Sequence, residues 1–290
     1  MSNVLCDAHV HFFSPGFFAG LGASREALSG IGWDDPKSTE SLAERWVAEL
    51  DRHGVDQAAL IASLPGDADS VATAVALHPS RFVGFFMVDP TKADAVTYAT
   101  RALDAGLRTI CLFPAMHHYA LHDEPVLRLF ELAASRAGTA VFAHCGVLSV
   151  GVRKKLGLPS RFDIRFGNPL DLHGVALKFP GVPIVIPHFG AGMLREALMV
   201  ASLCPNVLLD TSSSNSWIAQ TPGLTLAQAF RAALDVVGPD RLLFGTDSSF
   251  FPRGWHRQVY DQQQSVLGAL GVPGPDQEKI FAGNFKRLFR

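Results

Sequence analysis

Asp94-Ala95-Val96-Thr97-Tyr98-Ala99-Thr100-Arg101-Ala102-Leu103-Asp104-Ala105-Gly106-Leu107-Arg108-Thr109-Ile110-Cys111-Leu112-Phe113 holds the repeating unit of this chain. Over residues 94–105 the apolar positions recur at helical spacing, whereas 107–113 is a short, mostly apolar and β-branched run. Gly106 divides the two. Glycine readily takes the left-handed conformation that ends a helix and turns the chain inward. The same joint recurs at His53-Gly54-Val55 and Ala137-Gly138-Thr139. Helices that stop at glycine and feed apolar strands imply β/α units, whose strands pair in parallel.

Working outward, strands are expected at residues 3–11, 55–64, 82–89, 107–113, 139–146, 182–189, 206–212 and 241–247, with helices at 41–53, 94–105, 124–137, 192–203 and 226–237. Eight strands in 290 residues fit a closed (β/α)8 TIM barrel better than an open sheet. The composition agrees, since 48% hydrophobic and 18% charged residues suit parallel strands covered on both faces. No linker divides the chain, so residues 1–290 read as one α/β barrel domain. The last stretch, 277–290, carries Ile280, Phe281, Phe285, Leu288 and Phe289 and reads as a helix completing the barrel wall. Longer segments at 12–39, 147–179 and 248–255 follow strand ends, which is the catalytic face of a barrel.

A formal net charge of -2 removes the electrostatic case for nucleic acid or an anionic membrane surface. Apolar runs fall short of the roughly 20 residues that span a bilayer, and no secretory leader opens the chain. A cytoplasmic protein acting on a small molecule is therefore expected. Cys6, Cys111, Cys145 and Cys204 lack Cys-x-x-Cys spacing and read as buried free thiols, without a redox or ligand role.

His9 and His11 lie two apart on the first strand and so face the same side. Neutral imidazoles are metal ligands, but a site needs three or four donors from different parts of the chain. Alone, such a pair is a weak signal, since strand-end histidines more often just satisfy local hydrogen bonds. His144 and His188 each follow an apolar run and stand two residues before a glycine, and Asp247 ends the eighth strand, which adjoins the first on closure. Singly, the histidines are strand-end hydrogen-bonding groups and Asp247 is a helix N-cap. Placed together at one end of strands one, five, six and eight, they imply a shared centre.

The motifs Asp7-Ala8-His9-Val10-His11, Ala143-His144-Cys145-Gly146, Pro187-His188-Phe189-Gly190 and Phe244-Gly245-Thr246-Asp247, with the ending Ile280-Phe281-Ala282-Gly283-Asn284-Phe285-Lys286-Arg287-Leu288-Phe289, resemble the amidohydrolase superfamily over essentially the whole chain. The resemblance is to its amidohydrolase-related branch, of the aminocarboxymuconate semialdehyde decarboxylase type. It implies that His9, His11, His144 and Asp247 bind one divalent metal, while His188 is an acid/base or electrostatic group. Two-metal members usually carry a carboxylated Lys or a Glu on strand four. Residues 107–113 offer neither, so at most one metal is expected, zinc first, with manganese or iron as alternatives. Some lactonases of this branch keep much of the set and work without metal. A homodimer is expected from the resemblance alone.

An ion held by three histidines and a carboxylate keeps an open position and lowers the pKa of bound water toward about 7. Asp247 would take the proton, and His188 would polarise the carbonyl or stabilise the oxyanion. The expected reaction is hydrolysis of an ester, lactone or amide of a small carboxylated or aromatic substrate. One alternative is non-oxidative decarboxylation of an aromatic or muconate-like acid. Another is a non-catalytic barrel that keeps the ligands for metal or ligand binding. The compact length favours hydrolases of the branch, and His188, superfluous in a closed structural site, favours catalysis. His118 after strand four, Ser212 and Trp217 after strand seven, and Arg253 after strand eight are taken as substrate-binding. Their ordinary readings are an exposed loop residue, a turn cap, a packing group and a solvated cation. Arg153, Lys154, Lys155, Arg161 and Arg165 after strand five read as solvated surface before carboxylate binders. Phe12, Phe13, Phe17, Phe18, Trp33 and Trp255 are apolar loop groups that either stack on an aromatic substrate or pack the loops down.

Overall fold

A computed structural model describes residues 4–212 and 217–289. Among these, eight strands form one parallel sheet in chain order: β1 (Cys6–Phe12), β2 (Gln57–Ala62), β3 (Phe82–Val88), β4 (Thr109–Leu112), β5 (Ala140–Ala143), β6 (Ile184–Ile186), β7 (Val207–Asp210) and β8 (Leu242–Leu243). The sheet closes where the chain beyond β8 runs along β1. The Ala8 N–H donates to the Phe244 carbonyl at 2.8 Å, Asp247 N–H to His9 at 2.9 Å and His11 N–H to Ser248 at 2.7 Å. The (β/α)8 barrel read from the helix–glycine–strand joints is the fold observed. The first expected strand begins at Asn3 and the closing segment ends at Arg290, both outside the described residues.

The helix Leu226–Val237 has the expected bounds, while Thr39–His53 begins earlier than expected. There the Ser38 hydroxyl accepts from the Ser41 N–H at 3.1 Å and Ser41 Oγ accepts from the Ser38 N–H at 3.2 Å, a reciprocal cap that starts the helix. Helices Ala68–Leu77 and Arg257–Ala269 were not expected. Most of the first is alanine and valine, with Asp69, Ser70 and Thr73 among them, and the small contrast blurs its period. The second has Gln263 in its buried face, with its amide bonded to Thr211 Oγ1 at 2.7 Å. The segment 12–39, read as a loop, contains the short helices Pro15–Gly20 and Arg25–Gly30, capped by Ser14 and Ser24.

The wall has two apolar layers. Outside, the helices pack on residues such as Val10, Leu60, Ile110 and Val141; inside, Ile61, Phe85, Cys111, Phe142 and Leu208 fill the barrel. β1 changes layers because it carries a bulge: Asp7 pairs with Ala58 but Val10 pairs with Leu60. The extra residue resets the alternation. Cys6 and Ala8 face inward, and His9 follows them with its ring edge-on to Phe142, while Val10 and Phe12 join the outer layer.

The closing segment completes the barrel wall only in part: Ile280 and Phe281 pack in the outer layer, Phe281 against Phe244 and Tyr260. After the π turn Lys279–Gly283 and the helix Asn284–Leu288, Phe285 and Phe289 enter the interior beside Phe85. Lys286 pairs with Asp56 and the Asn284 amide bonds the Pro239 and Leu242 carbonyls, all near the N-terminal ends of strands. The segment is therefore a floor plug, and each buried ring contributes about 1.5–3 kcal/mol. Among the described residues, no helix is long and apolar enough to cross a membrane.

Candidate metal centre and active site

Opposite the plug, the strand ends bring His9, His11 and Asp247 together. The Nε2 atoms of His9 and His11 are 3.4 Å apart, and Asp247 Oδ1 lies 3.1 Å from His11 Nε2 and 3.6 Å from His9 Nε2. Donor atoms of all three fall within 4.8 Å of one another. The outer nitrogens are held from behind. Asp210, ending β7, accepts from His9 Nδ1 at 2.5 Å. Ser63 Oγ donates to the Ile61 carbonyl at 3.0 Å and so accepts from His11 Nδ1 at 2.6 Å. With both Nδ1 atoms donating, each Nε2 presents a lone pair to the same point, the arrangement that second partners impose on metal-binding imidazoles.

Burial opposes a charged His9, yet the Asp210 and Asp247 carboxylates outweigh it and raise its pKa. Burial likewise opposes ionisation of Asp247 and Asp210, but the His11 hydrogen bond with the charges of His9 and His11 holds Asp247 below the usual range, and His9 holds Asp210 below it. Two buried carboxylates facing the imidazoles call for positive charge at this point, met by a proton on His9 or by a bound cation.

His144 stands just past β5, 2% exposed, stacked on Phe113 with ring centroids 5.3 Å apart. Both of its ring nitrogens are buried without a partner among the described residues. Burial, then the neighbouring His188 and His9, push its pKa well down, so the ring is neutral. His188 lies past β6 with Nδ1 2.8 Å from Ser212 Oγ and 3.0 Å from the Ser212 carbonyl. Burial and His9 lower its pKa as well.

His144, His188 and Asp247 were expected on strands; they stand just beyond them. His188 and Asp247 adopt left-handed φ of 54° and 58°, and Phe189 and Ala191 do the same at 50° and 43°. This conformation breaks a ladder and costs about 1–2 kcal/mol per non-glycine residue, and such strain gathers at functional sites. The repeated His-x-Gly pattern also finds its reason. Gly146 has φ 80°, and a side chain there would overlap the Gly190 carbonyl oxygen, so the segments after β5 and β6 meet backbone to backbone. At Gly245 a Cβ would lie 2.8 Å from both Asp210 Oδ1 and His9 Cβ.

Above the cluster is a cavity of about 230 Å³ with His11, His144, His188 and Asp247 in its lining. One wall is the pair Trp33 and Phe250, stacked 3.9 Å apart and 9° from parallel. Arg153, Lys155 and Arg253 also line it. Arg253 lies 4.6 Å over the Phe250 ring and bonds the Asp247 carbonyl at 3.3 Å and Ser249 Oγ at 3.2 Å, while its buried Nε has no partner among the described residues.

Of the four residues expected to bind substrate, only Arg253 lines this cavity. Ser212 is fully buried, its hydroxyl between His188 and His9 Nδ1, 3.1 Å from the latter. Trp217 is buried against Phe189 and donates from Nε1 to the Ser212 carbonyl at 3.2 Å. His118 turns away, donating from Nε2 to the Arg161 carbonyl at 2.7 Å and stacking on Phe166. Residues 213–216, part of the expected strand-seven loop, lie outside the described residues. Asp210 and Ser63 were missed. Asp210 had a signal, because Val207-Leu208-Leu209-Asp210 ends an apolar run in a carboxylate as the Asp247 segment does.

The fold and site define a (β/α)8 barrel with a convergent His/Asp cluster at the C-terminal strand ends, the face where such barrels carry out chemistry. The amidohydrolase family profile matches residues 6–290, and the chain belongs to that family. Membership supports an enzyme acting on a small molecule, a hydrolase or a related lyase. The protein fluG of Emericella nidulans is 30% identical over 103 residues, a match spanning 34% of this chain and only 12% of fluG. Three solved structures share the barrel. An uncharacterised TIM-barrel protein of Bordetella bronchiseptica gives a TM-score of 0.71 at 20% identity, covering 98% of this chain and 97% of that one. A probable 2-pyrone-4,6-dicarboxylic acid hydrolase of Acinetobacter baumannii, with citric acid bound, gives 0.66 at 16% identity over 98% of both chains. An amidohydrolase of Burkholderia multivorans with bound zinc gives 0.60 at 14% identity over 99% of both.

Proposed function

We propose that this protein is a metal-dependent hydrolase acting on an ester, lactone or amide of a small carboxylated or aromatic substrate. The reading rests on the aim of the His9 and His11 Nε2 atoms, 3.4 Å apart beside Asp247 with their Nδ1 atoms engaged from behind. Two imidazole nitrogens and a carboxylate suit zinc, with manganese or iron as alternatives. His144 stands outside the three-residue group, and its buried ring nitrogens, without a partner among the described residues, support it as the fourth ligand. A divalent ion held there supplies Lewis-acid polarisation and brings the pKa of a water toward about 7.

The chain's own groups do the rest. Asp247 is ionised and positioned to accept a proton. The Ser212 carbonyl accepts from His188 Nδ1–H at 3.0 Å, so the neutral ring presents its Nε2 lone pair to the cavity as a proton acceptor, and once protonated there it donates to the developing oxyanion. Arg253 pairs with a substrate carboxylate, and the Trp33–Phe250 wall takes a planar ring. Support for a carboxylated lactone comes from the Acinetobacter relative, named for hydrolysis of a pyrone dicarboxylic acid. The narrower aminocarboxymuconate-type assignment rests on the sequence motifs. Its decarboxylase chemistry is the competing reading, favoured by the cation Arg253 lying against an aromatic wall.

Initial rates on a panel of aryl and pyrone lactones test the proposal. A strong chelator is expected to abolish hydrolysis and added zinc to restore it. Full activity in metal-free protein contradicts the metal-dependent reading, and carbon dioxide as the product moves the assignment to the lyase.

A further inference from the structure

Asp7 is fully buried and lies outside the cavity lining, at the seam where β1 meets the chain beyond β8. We infer that Asp7 is a positioning residue that sets the spacing of His9 and His11 against Asp247, and thereby the affinity of the centre for its ion. The inference rests on the metal-centre reading above.

The geometry is specific. Asp7 Oδ1 accepts from the His9 N–H at 2.9 Å and from the Thr246 N–H at 3.1 Å. Asp7 Oδ2 accepts from Thr246 Oγ1 at 2.5 Å and from Trp255 Nε1 at 2.7 Å. One carboxylate oxygen therefore binds the amide of a ligand on β1 and the amide of the residue preceding the ligand beyond β8. The same residue stands at the start of the bulge that turns His9 inward. Its other oxygen reaches Trp255, whose own N–H donates to buried Glu49 at 2.8 Å, fixing the loop that also carries Arg253. Thr246 Oγ1 lies 2.7 Å from Ser248 Oγ, which accepts from the His256 N–H at 2.8 Å. Four donors satisfy the carboxylate as an ionised, acceptor-only group. An amide in its place would set N–H groups against donors.

A residue that only strengthened the barrel would change stability and leave the affinity of the folded protein alone. A positioning residue changes affinity, and loss of such outer partners typically weakens metal binding about 10–100-fold. The test is the zinc dissociation constant, by competition with a chromophoric chelator, alongside thermal unfolding of the metal-free proteins and the visible spectrum of the cobalt forms. Asp7→Asn is expected to unfold cooperatively, to bind zinc about 10–100-fold more weakly and to show an altered cobalt spectrum. Thr246→Val, which removes the hydroxyl donor and keeps the amide, is expected to weaken binding less, and Thr246→Ser to restore it.

Folded Asp7→Asn with wild-type affinity and spectrum overturns the inference, whatever its melting temperature. Should Asp7→Asn not fold, Thr246→Val against Thr246→Ser decides by the same criterion. Wild-type protein that binds no zinc overturns the metal-centre reading and this inference with it, an outcome distinct from tight binding unaffected by Asp7→Asn.

Discussion

Asp247→Asn is expected to lower kcat/KM by about 10²–10⁴-fold, the range for loss of a positioned proton acceptor, and to deplete the protein of its ion. The substitution keeps the side-chain shape and removes the charge. Asp247 Oδ1 is the oxygen 3.1 Å from His11 Nε2 and 3.6 Å from His9 Nε2, so the donor set loses its anionic member. The backbone should tolerate the change, because Asn accepts a left-handed φ such as the 58° found here as readily as Asp does. Steady-state rates and metal content of the same preparation check the prediction. A variant with wild-type metal and activity would remove Asp247 from the mechanism.

His188→Ala should lower kcat by about 10²–10³-fold, as for loss of an oxyanion donor, while the ion stays bound. The expectation rests on His188 Nδ1 being engaged by Ser212, whereas neither ring nitrogen of His144 has a partner among the described residues. Alanine at φ 54° is more strained than histidine, so His188→Asn, which accepts that backbone, separates strain from chemistry. Both variants should be slow and metal-loaded. Full activity in either would sink the role given to His188, and loss of metal in both would make His188 a ligand instead.

The barrel was legible because its joints repeat: a helix, a glycine, then an apolar run. Strand ends were not legible, since β6 and β8 stop where His188 and Asp247 approach or take left-handed φ, which an apolar run does not reveal. The bulge between Asp7 and Val10 was equally hidden, although it decides which residues of β1 share a face with His9. His9, His11 and Asp247 came from sequence as a group because chain closure makes strands one and eight neighbours. The loop residues did not. Whether His118 turns to the cavity or to the Arg161 carbonyl is settled by loop packing, and Trp217 lies in the core against Phe189. Asp210 was readable in principle, since it closes an apolar strand as a ligand would, but it binds a ligand instead.

Elemental analysis of the purified protein, beside chelator-treated and Asp247→Asn samples, tests the central claim most directly. About one zinc, manganese or iron per chain, lost on chelation and reduced in the variant, is the expected result. Fully active native protein without any divalent metal would contradict the account and make the convergent histidines a metal-independent site.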